Sequence, residues 1–174
     1  EPIAYIIGYK EFWKKKFKIN TNVLIPRPDT EHLVEESLKF IPKSSSLNIL
    51  DIGTGSGCII LSILNERNKC YGVALDVSKK AINVAKYNAK IQHIENRIKF
   101  VNSDIDKFNM GKYDIVLSNP PYIKNYKIDC LDEGIRFFEP EIALDGGIDG
   151  YSKINTVINR CSILIKKKGK LFLE

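Results

Sequence analysis

The sequence predicts an α/β domain with a Rossmann-like parallel sheet, its strands separated by helices. Three observations carry this expectation. From residue 47 to the end, short apolar runs alternate with amphipathic stretches. A glycine-rich loop, Asp51-Ile52-Gly53-Thr54-Gly55-Ser56-Gly57, closes the first apolar run. An acid, Asp76, closes the second. Open sheets of this kind bind ligands at the C-terminal ends of their strands, so the loop and the acid mark one crevice.

The elements follow in order. Leu47 to Ile52 reads as a buried strand, and residues 57–67 as a helix with Ile60, Leu61 and Leu64 on one face. Tyr71 to Leu75 is the second strand. Residues 78–91 form a helix with Ser78 as N-cap and Ile82, Ala85 and Ala89 at helical spacing. Ile98 to Val101 and Tyr113 to Leu117 are the third and fourth strands. Residues 152–165 suit a helix, and Lys170 to Leu173 a fifth strand. Right-handed crossovers make these strands parallel.

Residues 1–46 fall outside the alternation and read as a β-hairpin and helix leading into the sheet domain, 47–174. Phe17-Lys18-Ile19 and Val23-Leu24-Ile25 flank Asn20-Thr21-Asn22, which predicts the hairpin. Pro26-Arg27-Pro28 ends it, a helix starts over 29–40, and Pro42 to Ser46 is a polar linker. The chain opens on what reads as an interior segment and stops inside a strand, as an excised or truncated piece would.

Composition excludes several classes. No apolar run approaches the roughly 18 residues of a membrane helix, and the N-terminus has no basic and apolar signal region. A cytoplasmic protein with no membrane partner is the expectation. Cys58, Cys70, Cys130 and Cys161 are dispersed, and His32 and His93 lie elsewhere, so neither a metal site nor a disulfide framework is expected. The net charge is +6, but only five of the 27 basic residues are arginine. Arginine reads bases and phosphates bidentately, and its scarcity argues against direct nucleic-acid binding. The runs Lys14-Lys15-Lys16 and Lys166-Lys167-Lys168 read as solvated faces or helix ends.

The glycine loop has the spacing GxGxG. A dinucleotide fold wants GxGxxG, and Cys58 stands where its third glycine would be, which argues against NAD. The loop opens a helix whose free N–H groups face the ligand. Asp76 is placed to accept both ribose hydroxyls of an adenosine moiety, or more simply to cap the helix beginning near Ser78. Asp104, after the third strand, lies on the same edge and with Ile105 frames an adenine.

The fourth strand runs into Ser118-Asn119-Pro120-Pro121-Tyr122. Two prolines donate no backbone hydrogen bonds and hold the chain extended, which frees a neighbouring carbonyl to point outward. That carbonyl and the Asn119 amide oxygen can accept both hydrogens of a substrate NH₂ group. Tyr122 can stack on the planar group carrying it. Accepting both N–H bonds rotates and pyramidalises an amide nitrogen, aiming its lone pair at a methyl sulfonium; such catalysis is positioning and electrostatics. The plainer alternative is a proline-rich surface turn.

At these residues the chain resembles the release-factor glutamine N5-methyltransferases of the HemK or PrmC type. The likeness includes PIAYIIGYKEF (2–12), VLIPRPDTE (23–31), the GTGSG loop, Asp76, NPPY and EPEIALDGGIDG (139–150). The resemblance implies a class I S-adenosylmethionine methyltransferase sheet, with the family's N-terminal helical domain and last two strands absent. It implies that Gly53, Thr54, Gly55, Ser56, Gly57, Asp76 and Ile105 contact S-adenosylmethionine and that Asn119 lies close to its methyl group, with Asp104 joining them from its place on the sheet edge. Asn119, Pro120, Pro121 and Tyr122 would hold the glutamine, and Pro26 to Glu31, with Arg27, would line the active-site mouth. The partner implied is a peptide chain release factor, methylated in its Gly-Gly-Gln loop. NPPY also occurs in adenine-N6 and guanine-N2 nucleic-acid methyltransferases, which remain an alternative, as does a non-catalytic cofactor-binding module.

Overall fold

In the computed structural model, which describes residues 1–174, five parallel strands form one sheet in the order Ile98–Asn102, Tyr71–Asp76, Asn48–Ile52, Tyr113–Ser118, Ile165–Leu173. The chain begins with a short helix α1 (Ile3–Ile7), followed by a separate antiparallel pair, β1 (Tyr9–Phe12) and β2 (Lys15–Lys18). Helix α2 (Thr30–Phe40) leads to β3 (Asn48–Ile52), α3 (Cys58–Glu66), β4 (Tyr71–Asp76), α4 (Lys79–Ile91), β5 (Ile98–Asn102) and β6 (Tyr113–Ser118). Two short helices, α5 (Asn125–Ile128) and α6 (Glu133–Arg136), precede α7 (Ser152–Leu164) and β7 (Ile165–Leu173).

Alternation along the strands builds the two faces. Ile49, Ala74, Ile115 and Leu117 join α2 and α3 in one apolar cluster; Leu50, Leu75 and Val116 join Val157, Cys161 and Leu164 of α7 in another. A sheet covered on both faces explains why its strands read as continuous apolar runs. The expected cap holds: the Ser78 hydroxyl accepts from Ala81 N at 3.2 Å. Phe12 and Phe17 belong to the same cluster as α3, so the hairpin shares the main core.

Two expectations need correction. The hairpin lies earlier than predicted: its turn is Trp13-Lys14, both with positive φ (47° and 59°), and Phe12 pairs with Lys15. That geometry suits a two-residue turn matching the strand twist, although neither residue is the usual glycine or asparagine. Asn20–Asn22 instead makes a local turn, with the Asn20 carboxamide oxygen accepting from Asn22 N at 3.0 Å, and Val23–Ile25 forms no strand. The last strand also begins five residues early, at Ile165. Its register against β6 shifts between Tyr113 and Ile115, so the lysine run lies in an irregular strand portion where Lys166 binds the Asp114 carboxylate at 2.8 Å. No helix is long and apolar enough to cross a membrane.

After β5 the chain crosses back over β3 to β6. This reversal leaves a crevice beyond the C-terminal ends of β3 and β6, the position such sheets use for ligands.

Candidate active site

A cavity of about 360 Å³ occupies that crevice. Gly53, Thr54, Gly55 and Ser56 wall it after β3, Asp76 at the end of β4, Asp104 and Ile105 after β5, and Asn119, Pro120 and Pro121 after β6. Ten of the residues expected from sequence therefore meet around one space.

The glycine loop is bent by Gly53 (φ 73°) and Gly55 (φ 55°), conformations that side-chain-bearing residues rarely adopt. A Cβ on Gly53 would meet no atom within 4 Å, and one on Gly55 only the Gly53 oxygen at 4.0 Å. The space beside them is open for a ligand lying against the backbone. Gly57 has another task. It precedes α3, and its hypothetical Cβ would approach Leu61 Cδ1 at 3.0 Å and Ala85 Cβ at 3.3 Å, so it lets α3 and α4 pack closely. It does not wall the cavity.

Asp76 braces the loop against the start of α4 and also borders the cavity. One carboxylate oxygen accepts from Gly55 N at 2.9 Å and the other from Ser78 N at 2.8 Å, which ties the loop to the start of α4. The residue still reaches the cavity, and each oxygen retains acceptor capacity. Burial raises its pKa, opposed by those two N–H bonds. Behind the loop, Asp51 is fully buried, with one oxygen accepting from the Thr54 hydroxyl at 2.6 Å and the other unpartnered. Burial pushes its carboxyl up to about 7. The loop, the open glycine backbone and the buried-edge acid fit a nucleoside-bearing cofactor.

At β6, the Ser118 hydroxyl donates to Ile52 O at 2.8 Å and locks the two central strand ends together. The carbonyls of Asn119, Pro120 and Pro121 accept no backbone hydrogen bond. The Asn119 Nδ2 donates to Thr30 Oγ1 at 3.3 Å. Its Oδ1 makes no hydrogen bond within the protein and remains available as an acceptor.

Tyr122 is 55% exposed and does not wall the cavity. The backbone of the next residue is held from both sides: Ile123 N donates to Leu144 O, and Gly146 N donates to Ile123 O. A Cβ on Gly146 would fall 2.7 Å from Tyr122 Cα, and one on Gly150 would fall 2.6 Å from Tyr122 O. Gly146 and Gly150 therefore act by close approach to NPPY, whereas Gly147 lies against Ser152.

The segment 26–31 divides its tasks. Pro26 and Thr30 wall the cavity. Arg27 turns away and pairs with the buried Glu139 at 2.6 Å, joining this segment to 139–150. Glu31 accepts from Trp13 N at 2.8 Å and anchors the hairpin turn. Sequence reasoning missed Glu139 as the partner of Arg27. It also missed Lys153, Thr156 and Val157 of α7, which close the cavity from the opposite face. Helical spacing marks one face of α7 as buried but says nothing about a ligand.

The pattern of the family described as methyltransferase small domain matches residues 30–137. A release factor glutamine methyltransferase of Caulobacter vibrioides is 39% identical over 175 residues, and one of Neisseria gonorrhoeae is 40% identical over 177. Both alignments take in 100% of the chain, which spans 61% and 63% of those proteins' lengths. A solved S-adenosylmethionine-dependent methyltransferase of Agrobacterium tumefaciens shares the fold, with a TM-score of 0.64 at 19% identity over 95% of this chain and 51% of that one.

Proposed function

The chain belongs to the methyltransferase small domain family, and on that premise we propose that it methylates the side-chain amide nitrogen (N5) of a glutamine, using S-adenosylmethionine. The proposed substrate is the Gly-Gly-Gln loop of peptide chain release factors. One observation carries the reading: Asn119, Pro120 and Pro121, whose carbonyls accept no backbone hydrogen bond, wall the same cavity as the glycine loop and Asp76. A binding module has no use for such an array of acceptors. The relatives named as release factor glutamine methyltransferases support the choice of substrate.

Bound S-adenosylmethionine supplies an electrophilic methyl group. The Gly53–Ser56 backbone and Asp76 would hold its adenosine part, with Asp104 and Ile105 beside the adenine. Asn119 Oδ1 and a carbonyl beside Pro120 would each accept one N–H of the substrate amide, holding its nitrogen toward the donor. The exposed Tyr122 ring is free to lie on the amide plane. No strong base is needed before transfer, because the methylated nitrogen is acidic and releases its proton afterwards.

The test uses the full-length protein with labelled S-adenosylmethionine. It is offered release factor, release factor with the loop glutamine changed to alanine, and unmethylated DNA in separate reactions. Label is expected only in the first. Label in DNA would transfer the amine site to nucleic-acid exocyclic amines, and equal label in the alanine protein would remove the loop glutamine as target.

A further inference from the structure

We propose that Thr30 and Glu174 are positioning residues that fix which end of the Asn119 amide meets the substrate; the inference rests on Asn119 being the acceptor described above. An asparagine amide has two ends of nearly equal shape and opposite hydrogen-bonding sense. Presented oxygen-first, it accepts a substrate N–H. Presented nitrogen-first, it confronts the substrate NH₂ with another NH₂. An acceptor trap therefore requires something to decide the orientation.

Three side chains brought together by the fold supply that decision. Thr30 is the first residue of α2 and is 3% exposed. Its hydroxyl carries one proton, donated to Glu174 Oε1 at 3.1 Å. An ionised carboxylate only accepts, so that proton has a fixed destination. The hydroxyl lone pairs remain for Asn119, and only the Nδ2 end is compatible with them; the distance is 3.3 Å. Donation runs one way, from Asn119 to Thr30 to Glu174, and Oδ1 is left for the cavity. Glu174 is held in place by its backbone N–H, which donates to Ser118 O at 3.2 Å and continues the pairing of Leu173 with Ser118. Its second oxygen is buried and unpartnered, and burial raises the pKa of the Glu174 carboxyl, opposed by the side chains of Thr30 and Asn119, which favour the ionised acceptor.

Removing the carboxylate frees the Thr30 proton to point at Asn119, which then favours the wrong end of the amide. The experiment measures methyl transfer from labelled S-adenosylmethionine to release factor by full-length Glu174→Leu, Thr30→Val, Thr30→Ser and Asn119→Ala proteins. Glu174→Leu is also built in the Asn119→Ala background. Cofactor affinity is measured by calorimetry and integrity by thermal melting. Glu174→Leu and Thr30→Val should lower kcat about tenfold, the scale of one hydrogen bond at the reacting centre, with cofactor affinity unchanged. Thr30→Ser, which keeps the hydroxyl, should recover kcat to within about twofold. In the Asn119→Ala background, Glu174→Leu should have no further effect, since no amide remains to orient. Undiminished kcat in Glu174→Leu, or an equal fall in both backgrounds, overturns the proposal. Should Glu174→Leu not fold, the contrast between Thr30→Val and Thr30→Ser decides: equal kcat overturns the proposal. If Asn119→Ala itself keeps full turnover, the earlier reading of Asn119 fails instead.

Discussion

Replacing Gly146 with alanine tests whether the 139–150 segment sets the geometry of NPPY. The new Cβ would stand 2.7 Å from Tyr122 Cα, 2.8 Å from Tyr122 C and 2.9 Å from Gly150 O. Carbon atoms in contact prefer about 3.5–4.0 Å, and every group met here is backbone, so no side chain can swing aside. The two segments must separate by something near 1 Å. Overpacking of this kind costs about 1–3 kcal/mol, read as a melting temperature lower by about 2–4 °C per kcal/mol in a domain of this size. The larger consequence is functional. A misplacement of about 1 Å at a reacting centre costs on the order of 100-fold in rate. Gly146→Ala should therefore lower kcat for methyl transfer about 100-fold and leave cofactor affinity intact, because the glycine loop and Asp76 belong to other strands. Gly134→Ala is the control: its nearest neighbours would be Asp132 Oδ1 at 3.8 Å and Pro2 Cγ at 3.9 Å, ordinary contacts. If Gly146→Ala and Gly134→Ala proteins turn over alike, the close approach does not position NPPY.

Asp76→Ala should weaken S-adenosylmethionine binding by about 1.5–3 kcal/mol, the value of a charged acceptor, and unchanged calorimetric affinity in a folded variant would remove Asp76 from ribose recognition. Asp51, held at about 7 against an ordinary value of 3.8, makes stability pH-dependent. As pH rises, the unfolded chain loses this proton first, so the contribution is full below about pH 4 and is lost progressively up to about pH 7, bounded near 4 kcal/mol by about 1.36 kcal/mol for each of three pH units. Asp51→Asn keeps an acceptor for Thr54 and abolishes the titration. The wild-type melting temperature should therefore fall more than that of Asp51→Asn between pH 5 and 8, and parallel falls would acquit Asp51.

The sheet was legible because burial on both faces puts unbroken apolar runs such as Ile115-Val116-Leu117 in its strands, and because Ser78 caps α4 by a short-range rule. The hairpin was misplaced because Trp13 and Lys14 hold positive φ without the residues that advertise it, whereas Asn20-Thr21-Asn22 advertises a turn that closes only on itself. The opening of β7 was hidden because Lys166 to Lys168 carry no apolar pattern; Asp114 and the register shift hold that portion in the sheet. Helices α5 and α6 have four residues each, too few to show a period.

The same distinction governs the site. Groups that wall the cavity follow directly from a strand end, and Gly53 to Ser56, Asp76 and Asn119 to Pro121 each announce themselves beside an apolar run. Groups that orient them are fixed by tertiary packing and leave no local mark. Thr30 reads as a helix start, and Glu174, which lies 144 residues away, reads only as the end of an apolar strand; they meet because β7 docks beside β6 and α2 packs against that end of the sheet. Arg27 and Glu139 are separated by 112 residues and join in the same way. The proposed reaction, which depends on aiming a lone pair rather than on a strong base, would depend most on these supporting residues. Their loss should lower kcat while leaving cofactor affinity nearly untouched, and that split distinguishes them from the residues that grip the cofactor.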